Sequence, residues 1–218
     1  FAVFILTLVD LVSLSCEANV FALPVPTQAQ LAYQQGEIVA LIHFNMATFF
    51  KDGDPGCNAS NWHSSRSPAA FAPSEMDISG WLDVAAEVGA RSAVLTAKHG
   101  CGFLLWPTDV RLPDGSPYGY HVGAPDASVQ EDVVTAFQRE CHRRGLKHGF
   151  YFSMERNFYL CRGFQGSACS VDVLPGQRNL TDEEFDNVSL ALVTELWTRS
   201  GNLSEVWMDS GYSSALKP

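Results

Sequence analysis

Two kinds of hydrophobic run alternate along the chain. Residues 38–44 read IVALIHF, an apolar stretch of strand length. Residues 78–88 (ISGWLDVAAEV) carry apolar side chains at helical spacing, and Gly89 follows as a stop. Residues 92–97 (SAVLTA) return to the strand type. Across residues 131–144, Val133, Val134, Phe137 and Cys141 fall on one helical face, and Gly145 closes it. Residues 147–153 contain GFYFS, a strand. Residues 183–199 predict a helix with Leu190, Val193, Leu196 and Trp197 as its apolar stripe and Gly201 beyond its end. Residues 205–209 (EVWMD) predict a last strand.

Strands that are apolar without clean alternation are buried on both faces, as in parallel sheets. Their alternation with helices defines an α/β class built from right-handed βαβ units. No Gly-rich phosphate loop follows the first strand, where residues 43–50 read HFNMATFF. A (β/α)8-type, TIM-like barrel is therefore expected rather than a nucleotide-binding doubly wound sheet. Such a barrel takes about 250 residues. This chain of 218 residues reaches only its fourth strand, so about the first four βα units are expected, as the N-terminal half of a barrel. Pro and Gly cluster at residues 52–56 and 107–125, on the side where barrel enzymes keep their chemistry.

Polar residues at the C-terminal ends of barrel strands point into the site. Here those ends carry His43, the pair Lys98–His99, Tyr151 followed by Glu155, and Asp209. A carboxylate at Asp209 could attack a sugar carbon and form a covalent glycosyl intermediate. Equally, Asp-Ser-Gly is a good turn sequence, and Asp is a common helix cap. His43 and His99 could bind substrate hydroxyls or be satisfied within a core. Glu155 could be a general acid or a loop ion-pair partner. Trp62, Trp106 and Trp207 could line an apolar sugar face or simply pack.

The first residues change the picture of where the protein works. Residues 1–9 are almost wholly apolar, then Asp10 interrupts. That is short of the roughly 20 apolar residues of a membrane span. It suits the core of a secretory signal peptide, with Cys16-Glu17-Ala18 as a small-x-small cleavage pattern. Residues 1–18 are thus expected to be part of such a signal, and 23–218 a catalytic half-barrel. Four Asn-x-Ser/Thr sequons, at Asn58, Asn179, Asn187 and Asn202, fit the secretory pathway. So do six cysteines, of which Cys161 and Cys169 enclose a Gly/Ser-rich loop and are the best disulfide pair. No C-x-x-C spacing signals zinc. With 46% hydrophobic and 17% charged residues, the chain is not disordered in composition. A net charge of −10 and no Lys/Arg run beyond Arg143–Arg144 speak against nucleic acid as a partner.

The strand-end residues and their flanks resemble those of the α-L-fucosidases of glycoside hydrolase family 29, most closely the plant-type branch. The resemblance covers residues 23–211, through LPVPTQAQLAYQQGEIVALIHFNMATFF, WLDVAAEVGARSAVLTAKHGCGFLLWPT, DVVTAFQRECHRRGLKHGFYFS and ELWTRSGNLSEVWMDSG. It implies a (β/α) barrel followed by a β-sandwich domain, hydrolysis of terminal α-L-fucose from glycans with retention, and neither a metal nor an organic cofactor. By match Asp209 is the nucleophile. His43, His99, Tyr151 and, more loosely, Trp62 contact the sugar. The acid/base carboxylate comes from later in the family's chain and is not among these residues, and Glu155 is not a substitute for it. Where the family has H-H-D-G-F, this chain has His99-Gly100-Cys101-Gly102-Phe103. Gly100 cannot supply the second histidine's hydrogen bond, a loss of about 1–3 kcal/mol if a buried partner is left unpaired. The alternative is therefore a catalytically impaired, sugar-binding relative.

Overall fold

The computed structural model describes residues 24–49, 67–163, 166–167, 173 and 176–209. The expected signal segment, Trp62, Asn58 and the residues after Asp209 lie outside them.

Four parallel strands form one sheet: β1 (Val39–Ile42), β2 (Ser92–Lys98), β3 (Lys147–Ser153) and β6 (Glu205–Asp209), in the order β1-β2-β3-β6. Helices α2 (Ile78–Glu87), α3 (Val133–Arg143) and α4 (Asp182–Arg199) stand between successive strands. A two-residue hairpin, β4 (Arg162–Gly163) with β5 (Gly166–Ser167), interrupts the link from β3 to α4. This is the α/β alternation that the apolar runs predict, to within a few residues at each boundary.

Each helix begins where a side chain can accept an otherwise orphaned backbone N–H. Asp77 accepts from Gly80 N at 2.8 Å, and Asp132 from Thr135 N at 2.9 Å. Thr181 and Glu184 make a reciprocal capping box at α4. The buried face of α4 is Phe185, Val188, Leu192, Val193 and Leu196. Leu190, expected in that stripe, is 56% exposed instead. A helix covered along one side buries about a third of its circumference, and Leu190 falls outside that arc. Helix α2 packs on α3, where the Arg144 guanidinium bonds Asp83 (2.7 Å), Glu140 (2.8 Å) and Ser79 Oγ (2.6 Å).

A first helix, α1 (Gln28–Gln34), precedes β1 and has no counterpart in the hydrophobic pattern. None of its residues is buried. Its visible signal is the capping box, in which Thr27 N donates to Gln30 Oε1 at 2.8 Å and Gln30 N to Thr27 Oγ1 at 3.3 Å.

The long segment between β2 and α3 is packed core rather than loose loop. Phe103, Leu104, Leu105, Trp106, Tyr118 and Tyr120 are all buried. Trp106 donates its indole N–H to Glu195 Oε2 at 2.7 Å, and Thr108 Oγ1 (2.6 Å) and Asp109 N (3.0 Å) donate to the same carboxylate. Trp106 is therefore a structural anchor and not a sugar platform. Gly102 has φ +86°, and a Cβ there would lie 1.9 Å from Asn157 Oδ1, so only glycine fits.

Candidate functional site

The C-terminal ends of the four strands bring His43, His99, Tyr151 and Asp209 into one continuous row. Each position has a local cause. After β1 the chain is tied to β2 by Thr96 Oγ1, which accepts from Phe44 N at 3.1 Å. Asn45 adds bonds from Nδ2 to Thr96 O (3.3 Å) and Phe103 O (3.4 Å), and its Oδ1 accepts from Met46 N at 2.8 Å. These bonds end the strand at residue 42 and leave His43 exposed at its tip. The His43 ring meets the buried His99 ring edge-on, with centroids 4.6 Å apart. His99 in turn lies 5.7 Å from the Tyr151 ring.

Tyr151 sits in β3 paired with Trp207, and Ser153 is paired with Asp209. The Tyr151 hydroxyl donates to Asp209 Oδ2. Burial raises the phenol's pKa, and the hydrogen bond and negative charge of Asp209 raise it further, so the hydroxyl stays a donor at neutral pH. Asp209 is half-buried. Trp207 packs edge-on against Tyr151, with centroids 5.4 Å apart, and buttresses that ring.

The site therefore offers one carboxylate held by a phenolic donor, with two imidazoles beside that phenol in ring contact. That set can hydrogen-bond a hydroxylated ring and place a carboxylate oxygen against one of its carbons. Among the described residues, no group of three or more His, Cys, Asp or Glu side chains is arranged to hold a metal ion. None of their helices is long and apolar enough to cross a membrane.

The two residues that depart from the H-H-D-G-F pattern are fixed differently. Cys101 is fully buried and disulfide-bonded, and Cys161 is disulfide-bonded as well. Cys169, the expected partner of Cys161, lies outside the described residues. At Gly100 a Cβ would meet nothing nearer than Arg156 Cδ at 3.7 Å, an ordinary contact. Glycine is thus not sterically required there. Cys141 is a free, buried thiol whose pKa burial raises to about 12.

Sequence reasoning weighed His99 of the Lys98–His99 pair and passed over Lys98. Lys98 is fully buried, and its ammonium donates to the carbonyls of Ser153 and Arg156. A charged residue closing an apolar strand was the available signal.

Four parallel strands thus alternate with helices, with carboxylate, phenol and imidazole at the strand ends. The family described as Alpha-L-fucosidase matches residues 44–217, and the chain belongs to it; this is glycoside hydrolase family 29. It is 29% identical over 187 residues to "Alpha-L-fucosidase 1" of Arabidopsis thaliana, covering 86% of this chain and 31% of that protein. It is 34% identical over 190 residues to an Oryza sativa subsp. japonica protein provisionally assigned as alpha-L-fucosidase 1, covering 86% of this chain and 30% of that one. Among solved structures, a glycoside hydrolase 29 family member from an unknown rumen bacterium superposes with a TM-score of 0.62 at 27% identity, over 87% of this chain and 29% of the other. The chain thus spans about a third of the length of these relatives.

Proposed function

We propose that the full-length protein is a retaining α-L-fucosidase that removes terminal α-L-fucose from glycans or glycoproteins. Asp209 attacks the anomeric carbon and forms a covalent fucosyl-enzyme. A carboxylic acid from beyond these residues protonates the leaving oxygen, and then activates the water that releases fucose. The two carboxyl groups of such an enzyme lie about 5–5.5 Å apart. His43 and His99 bind sugar hydroxyls, with Trp62 on the apolar side of the ring. Tyr151 holds the nucleophile's orientation through its bond to Asp209. Hydrogen bonds that tighten as positive charge develops on the ring raise kcat rather than ground-state affinity.

The observation that carries this reading is the row His43–His99–Tyr151–Asp209, with the Tyr151 hydroxyl bonded to the Asp209 carboxylate. Its test is hydrolysis of an aryl α-L-fucoside by the full-length protein beside Asp209→Ala. The expected loss in kcat is on the order of 10³-fold or more, as for removal of a covalent nucleophile. Equal rates for the two proteins would remove Asp209 from the mechanism.

A second reading has its own support at Gly100 and Cys101. A Cβ at Gly100 would make only ordinary contacts, yet the chain supplies no side chain there, and Cys101 is used as a structural cross-link. A protein that binds fucose in calorimetry but releases no product over long incubation would be the impaired, sugar-binding relative. Cross-linked Cys101 and Cys161 support work in an oxidising compartment, in the secretory pathway and then outside the cell or in a lysosome or vacuole. Glycosylation at Asn58, Asn179, Asn187 and Asn202 belongs to the same proposal, and a shift in mass on treatment with a glycan-removing amidase would reveal it.

A further inference from the structure

Lys98 ends β2, fully buried. The pairing of β2 with β3 slips between Thr96 and Lys98, so that Lys98 stands opposite Phe152. Such an irregularity re-aims a side chain next to a site. The Lys98 ammonium lies 4.9 Å from the centre of the Phe152 ring and ends between two main-chain carbonyls, those of Ser153 and Arg156. Burial pulls its pKa down to about 7, a sign of what it costs to keep this group dry. A methionine would fill the same volume without that cost. The ammonium's gain is the turn it holds.

That turn, residues 153–156, also touches the opposite side of the site. Ser153 pairs with Asp209 in the sheet, and Met154 N donates to Asp209 O at 2.9 Å. β6 has β3 as its neighbour in the sheet, so its C-terminal end depends on what holds the end of β3.

We propose that Lys98 is a positioning residue for Asp209. Through the carbonyls of Ser153 and Arg156 it fixes the turn after β3. The turn fixes the strand end from which the Asp209 carboxylate meets the Tyr151 hydroxyl. The inference rests on the reading of Asp209 as nucleophile. Lys98 does not touch the sugar, so its loss acts on the chemical step and leaves substrate affinity nearly unchanged.

The test uses the full-length protein with Lys98→Met, with Lys98→Gln (whose amide can still donate to one carbonyl) and with Leu192→Ala in α4 as a destabilised control. All three are assayed on an aryl α-L-fucoside and melted thermally. The expected result for Lys98→Met is a fall in kcat of about tenfold or more with KM within about threefold. Lys98→Gln recovers part of that loss, and Leu192→Ala keeps kcat despite a lower melting temperature. If Lys98→Met does not fold, Lys98→Gln alone carries the kcat comparison. A smaller kcat loss, a change confined to KM, or an equal kcat loss in Leu192→Ala would overturn the inference. Those results with an inactive Asp209→Ala count against Lys98 alone, whereas an active Asp209→Ala removes the underlying reading instead.

Discussion

The two inner strands and the two outer strands of this sheet live in different environments. β2 is buried at every position, and β3 at all but its first. β1 alternates exposed and half-buried residues. In β6, Val206, Trp207 and Met208 are 40%, 39% and 54% exposed. Yet the row of candidate residues draws equally on both pairs, with His99 and Tyr151 on the inner strands and His43 and Asp209 on the outer ones. Inner positions are set by packing on two faces and two flanks. Beyond the sheet pairing, outer positions lean on a few further hydrogen bonds to the inner pair and its flanks: Phe44 N to Thr96 Oγ1 and Asn45 Nδ2 to Thr96 O beside β1, and Tyr151 and Met154 to Asp209 at the end of β6. Among the described residues, β1 and β6 each have one strand neighbour in the sheet, and β2 and β3 have two.

The largest expected effect separates the two pairs directly. Phe150→Ala, at a fully buried position of β3, should cost about 3–5 kcal/mol in denaturant unfolding. Met208→Ala on β6, where the residue is 54% exposed, should cost less than about 1 kcal/mol when both variants are made in this 218-residue chain. Comparable losses at the two sites would mean that the outer strand is covered in solution, and the contrast would fail.

An intermediate effect probes the packed segment beside β2. Glu195→Ala leaves the Trp106 indole, the Thr108 hydroxyl and the Asp109 amide without their shared acceptor, so urea midpoints should report a loss of about 1–3 kcal/mol. A neutral result would show that water replaces the carboxylate.

The smallest effect concerns Lys98. Its folded-state pKa lies below the unfolded value, so between about pH 7 and 10.5 the unfolded chain binds more protons at this position. Stability should therefore rise with pH across that window, by up to about 1.4 kcal/mol per unit from this group. Between pH 7.5 and 8.5 the Tyr151 phenol and Cys141 thiol, both raised, stay protonated when folded, and His148, lowered, stays neutral. The difference between wild type and Lys98→Met over that single unit isolates the contribution. A flat difference would mean that the two carbonyls hold Lys98 charged throughout.

Much of this was legible in one dimension. Apolar runs without alternation located the strands of the sheet. Helical spacing located α2, α3 and α4, and apolar strands ending in His, Tyr or Asp pointed to the candidate row. Helix α1 escaped because it buries no residue, so it leaves no hydrophobic period to read. The wrong choice of Leu190 came from periodicity alone, which gives a repeat but not which side of the helix meets the sheet. Trp106 illustrates the same limit, because a tryptophan's composition cannot tell a sugar platform from a core anchor.

By itself, the order of residues determined the α/β alternation, the helix caps and which side chains stand at the strand ends, because these depend on neighbours a few positions away. Only the tertiary structure decided that His43 and His99 touch, that Tyr151 donates to Asp209 across 58 positions, and that Lys98 is spent on the turn behind them. Those contacts arise from strand register and close packing between segments far apart in the chain, and no local pattern encodes them.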